Sequence, residues 1–128
     1  MSSKASDKKW ASFNKTLLKA MKNSDWTELK MTYFDMALFC YEEQRPFFQL
    51  LQEACKAELR GYEQSGVVKR VRIITAKSAS CEHCAQLHGS EYSVEGALEA
   101  MPIPVKGCTT DLGKGNGWCR CTYGPVVK

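Results

Sequence analysis

Residues 81–121 read CEHCAQLHGSEYSVEGALEAMPIPVKGCTTDLGKGNGWCRC, and this stretch decides the fold. It carries five of the seven cysteines of a 128-residue chain: Cys81, Cys84, Cys108, Cys119 and Cys121. Two thiolates separated by two residues hold one ion from a tight turn whose amides also hydrogen-bond to the sulfurs. Cys81 and Cys84 form such a pair, and Cys108, Cys119 and Cys121 are left to complete a tetrahedral set. Five thiols stand against four ligand positions. On an extended segment Cys119 and Cys121 point to opposite faces, so only one of them meets the ion and Cys108 supplies the fourth sulfur. A tight turn instead brings both to the ion and frees Cys108. The strand geometry is the favoured reading.

The same stretch is short of large apolar side chains and full of Gly and Pro, too little to form a core unaided. Structural zinc contributes about 10–16 kcal/mol of apparent binding energy in small peptides, enough to fold such a segment. Zinc is therefore the expected cofactor, with an iron–sulfur cluster as the alternative, since thiolates alone do not choose the metal. All-thiolate sites are closed, and a closed site points to structure rather than to hydrolysis. The odd cysteine count argues against a disulfide framework. Met1-Ser2-Ser3-Lys4 leads into a lysine-rich stretch with no apolar signal core, which predicts a cytoplasmic chain. No apolar run reaches the roughly 18–20 residues that span a bilayer, so no membrane partner is expected.

Upstream of the cysteines, Val67 to Thr75 is β-branched, with Arg70 and Arg72 alternating with Val71 and Ile73. This predicts a strand that delivers the chain to Cys81. Before it the periodicity is helical. Trp10, Phe13, Leu17 and Ala20 define a first helix from Asp7 to about Asn23. Asp25-Trp26-Thr27-Glu28 reads as a capping box that opens a second helix to about Glu43. Met31, Phe34, Leu38 and Tyr41 widen the apolar stripe of this second helix, which predicts it to be the most buried. A third helix runs from Pro46 to Gln64, with Pro46 in its first turn and Gly66 beyond its end. Cys40 and Cys55 fall in these helical patterns and read as core residues. Past Cys84 come a Leu87–Gly89 turn, a short strand around Tyr92, a single-turn helix near Glu95–Ala100 and a last strand over Cys119–Tyr123. The expected fold is α+β: a three-helix layer over residues 1–66, followed by a small zinc-stapled β-rich lobe over residues 67–128, packed as one unit.

The balance of 44% apolar and 25% charged residues is that of an ordinary globular protein. Net charge is +4, divided into +5 over residues 1–24, −4 over 25–66 and +3 over 67–128. Four thiolates on one Zn²⁺ lower the total to about +2. This is not the field of a strong, unspecific nucleic-acid binder. Nucleic acid remains a candidate partner through Lys69, Arg70, Arg72 and Arg120, with Trp118 reading either as a ring that stacks on a base or as packing against the sulfur site. Catalysis has little support. His83 and His88 are the only imidazoles, and no His-Asn-His or comparable pattern surrounds them. His83 reads as solvent-facing and His88 as a turn cap, so no catalytic residue is assigned.

The stretch from Val71 to Tyr123 resembles the C-terminal cysteine module of phage head-morphogenesis (minor head, Mu F-like) proteins. The matching pieces are the strand, Cys81-x-x-Cys84, Leu87-His88-Gly89, Tyr92, the prolines Pro102 and Pro104, and Cys119-Arg120-Cys121-Thr122. That family carries a histidine just before its Cys-Arg-Cys. Here no histidine stands in that place; Cys108 lies eleven residues ahead, with a Gly-rich insertion (Gly113, Gly115, Gly117) between, and is the expected replacement for the histidine as ligand. The resemblance implies a stand-alone or prophage-derived relative of the module. The expected function is a zinc-stabilised, non-enzymatic interaction module with a protein partner. A nucleic-acid-binding zinc protein or a zinc-framed nuclease is the alternative.

Overall fold

The computed structural model describes residues 4–75, 82–105, 108, 113, 118, 119 and 121–126. Three helices come first: α1 (Lys4–Lys22), α2 (Trp26–Glu42) and α3 (Phe48–Ser65). Phe13, Leu17 and Ala20 of α1 pack with Leu29 and Met36 of α2 and Ala57 of α3. Trp10 sets its ring edge-to-face against both Phe13 and Phe39, with centroids 5.8 and 5.9 Å apart. The Asp25 carboxylate accepts from the Glu28 amide at 3.1 Å and so opens α2 as its spacing predicts.

Helix α3 departs from expectation at its start. It begins at Phe48, with Phe47 as an N-cap that makes no side-chain capping bond. Pro46 therefore lies ahead of the first turn. The reason is the Phe47 ring, which is drawn into a cluster with Tyr41 and Trp118 at 5.2 and 5.5 Å and so sets the local backbone. At the other end Gly66 adopts the left-handed conformation (φ 74°), where a Cβ is disfavoured, and turns the chain into the lobe.

Helix α3, not α2, is the shared element. Ala57 faces α1 and α2, Leu51 meets Ala37, Tyr41 and Trp118, and Cys55 and Leu59 enter the core of the lobe. Helix α2 leaves Met31 and Leu38 of its widened stripe exposed.

The lobe holds β1 (Arg70–Ile74), α4 (Glu82–Leu87), β2 (Glu91–Ser93), α5 (Val94–Ala100) and β3 (Thr122–Val126). The strands form an antiparallel sheet in the order β2-β1-β3. Val71 and Ile73 point inward onto α3 and α5, while Arg70, Arg72 and Ile74 face out. Both flanks of the sheet are blunted. β2 has three residues, and Pro125 in β3 has no N–H to offer an incoming strand. Among the described residues no helix is long and apolar enough to cross a membrane.

One carboxylate ties the layers together. Glu58 of α3 accepts from Lys30 Nζ of α2 at 2.5 Å and from the Tyr123 amide of β3 at 3.3 Å. Glu58→Ala leaves two partly buried donors without an acceptor, which should cost about 2–3 kcal/mol in urea unfolding. Glu58→Gln, which keeps an acceptor, should cost less.

Candidate metal centre

Each sulfur of the cluster is placed by a different device. Cys84 sits on α4, with its residue only 1% exposed. The sequence suggests a tight turn at this point, and the chain is helical from Glu82 instead. The turn after α4 is stitched to β1: Gly89 donates to the Ile73 carbonyl, and Ile73 donates to Ser90, both at 2.9 Å. Cys108 follows the 101–105 segment, in which Ile103 is fully buried, and its amide donates to the Val105 carbonyl at 3.1 Å. Cys119 adjoins Trp118, whose ring lies 5.3 Å from Tyr41 and 5.5 Å from Phe47 in the helical layer. Cys121 directly precedes β3, whose register is set by Ile74 opposite Thr122.

These devices bring together Cys84, Cys119 and Cys121, whose Sγ atoms all lie within 4.8 Å of one another. Cys84 Sγ stands 3.8 Å from Cys119 Sγ and 3.7 Å from Cys108 Sγ. A tetrahedral ion with metal–sulfur bonds of about 2.3 Å needs sulfurs about 3.8 Å apart, so the spacing fits such an ion. All four cysteines are buried, and none is in a disulfide. The strand argument that admits only one of Cys119 and Cys121 does not hold. The strand starts at Thr122, past both, so their side chains are not forced onto opposite faces. Cys81 and Arg120 lie outside the described residues, as does the His83 side chain.

The cluster also favours positive charge. A hydrogen bond from the Cys121 thiol, helped by backbone hydrogen bonding at Val105, brings the Cys119 thiol down to about 5, and the same bond pushes Cys121 up. Cys55 lines the same core, yet burial and the neighbouring Glu58 push its thiol well up, which keeps it neutral. Its closeness to the cluster has no signal in the sequence, because helical periodicity marks it only as apolar.

The remaining candidates fall elsewhere. Arg70 and Arg72 share the Glu91 carboxylate at 3.5 and 3.4 Å on the open face of the sheet, beside an exposed Lys69. Trp118 is 8% exposed and enclosed by the helical layer, so it neither offers a face to a base nor belongs to the core around the sulfurs. His88 Nδ1 accepts from the Thr75 amide at 3.2 Å and lies 3.1 Å from its hydroxyl, closing the end of β1. Comparison with protein-family models, curated proteins and solved structures finds no match to this chain.

Cys40 is buried with its thiol raised, chiefly by desolvation, as is that of Cys55. In native protein at neutral pH both should resist iodoacetamide and become modified only after denaturation, as read by peptide mass spectrometry.

Proposed function

We propose that this chain is a zinc-stabilised interaction module without catalytic activity, related to the cysteine module of phage head-morphogenesis proteins. The observation that carries the metal reading is the convergence of the Cys84, Cys119 and Cys121 sulfurs within 4.8 Å of one another, with Cys108 Sγ 3.7 Å from Cys84 Sγ. Zinc suits a buried all-sulfur set because it has no geometric preference of its own and binds thiolate strongly. Burial of Cys84, Cys108, Cys119 and Cys121 suits a closed structural site better than the open position a hydrolytic ion needs. The phage relationship rests on Cys81-x-x-Cys84, Leu87-His88-Gly89, Tyr92 and Cys119-Arg120-Cys121. A protein partner is favoured over nucleic acid, because Glu91 offsets part of the charge of Arg70 and Arg72, and Trp118 is enclosed.

Protein purified without added metal should carry one zinc per chain by elemental analysis. Cys84→Ser, which removes a sulfur within 3.8 Å of both Cys108 and Cys119, should lose the metal and the amide protection of the lobe. The helical circular dichroism should persist, and Cys40→Ala should keep its zinc. Comparing metal retention in Cys81→Ser and Cys108→Ser assigns the fourth ligand. Metal-free protein with a fully protected lobe ends the metal reading, and iron in place of zinc ends the choice of metal.

Duplex DNA binding should be weak and should not steepen with falling salt beyond the slope of one or two phosphate contacts. A steep slope abolished by Arg70→Ala/Arg72→Ala would make nucleic acid the partner.

A further inference from the structure

Two exposed helix faces have matching spacing and opposite charge. On α1, Lys8, Ala11, Lys15, Leu18 and Lys22 recur at i, i+3, i+7, i+10 and i+14, and all five are exposed. On α2, Glu28, Met31, Asp35, Leu38 and Glu42 recur at the same intervals, and all five are again exposed. Residues spaced this way line one face of a helix, so each set is a straight seam about 21 Å long. Leu18, Met31 and Leu38 are 69%, 54% and 39% exposed, high values for apolar side chains at regular intervals. Among the described residues none of the six charged members enters an ion pair within the chain. Lys15 and Glu28 line one cleft beside the α1–α2 turn, so one charged member of each seam lies on the same side of the hairpin.

We propose that these seams bind each other between two copies of the chain, as a two-fold dimer in which α1 of each copy lies antiparallel on α2 of the other. Run in opposite directions, the seams keep their register within one residue. Lys8 meets Glu42 of the second copy, Lys15 meets Asp35 and Lys22 meets Glu28, while Ala11 meets Leu38 and Leu18 meets Met31. Two-fold symmetry makes every contact twice, which suits a self-complementary pair of faces. The charged positions set register and orientation, and the apolar ones supply the buried area. A second copy is the occupant because this one chain carries both halves of the match. The dimer stands on observations independent of the metal centre.

Sedimentation equilibrium of the full chain at low salt should show a monomer–dimer equilibrium that weakens as salt rises. Lys15→Glu alone should weaken the dimer about tenfold, because it turns an attraction into a repulsion at two symmetric sites, and Asp35→Lys alone should do the same. The two together should restore affinity to within about threefold of the unsubstituted chain, since the pair is re-formed with its signs exchanged. All these positions are exposed, and unchanged circular dichroism verifies that the variants fold. A monomer up to millimolar concentration overturns the proposal, as does a dimer that neither substitution weakens or that the double substitution does not rescue. Monomeric protein that binds duplex DNA through Lys15 would make a polyanion the occupant of the α1 seam and overturn it equally.

Discussion

The shape of the lobe depends on how sulfur atoms from well-separated segments come to lie within bonding reach of one point. Among the described residues between Met101 and Cys121, Ile103 and Trp118 are the large apolar side chains that are buried, and they sit in different clusters. Two such anchors fix two points of a chain and leave the rest to loop entropy. Cys108, Cys119 and Cys121 lie near these anchors and all converge on the side of Cys84. A bound ion there adds a third fixed point, one that no hydrophobic contact in the segment can replace.

Most of the helical layer is legible in the sequence because its determinants are local. Asp25 and the amide it caps are three residues apart, and Gly66 needs only its own backbone angle. The strand at Arg70–Ile74 is legible for the same reason, since alternation shows in five residues. What escapes is set by distant partners. Phe47 leaves the helix because Trp118, far along the chain, completes its aromatic cluster. The start of β3 at Thr122 is fixed by pairing with Ile74, and that pairing alone decides whether Cys119 and Cys121 alternate. Helix α4 was hidden because the Cys-x-x-Cys spacing fits a metal turn as well as a first helical turn. The ligand types were therefore readable, and their mutual geometry was not.

Helix α3 explains how a small lobe and a helical layer behave as one body. A helix that serves one layer buries one stripe, but α3 buries Leu51, Ala54, Cys55, Ala57 and Leu59 around much of its circumference. Glu58 is largely buried among them, and its charge is tolerated there because donors from both sides satisfy its two oxygens. Lys30 holds it from the α2 side and the Tyr123 amide from β3. The carboxylate therefore selects one relative placement of layer and lobe, whereas the apolar contacts around it are less particular about angle.

This central position of α3 also keeps the two ends of the molecule apart. The sulfurs face the α3 surface that carries Cys55 and Leu59, while the charged seams of α1 and α2 point to solvent from the helical layer. The seam residues belong to none of the buried clusters of the lobe, so changes of seam charge touch no residue of the lobe core. Trp118 is one bridge, since it roots the Cys119 approach against Tyr41 of α2. Tyr41 itself is buried, at 3% exposed, whereas Met31 and Leu38 are 54% and 39% exposed, so this bridge ends in a covered ring.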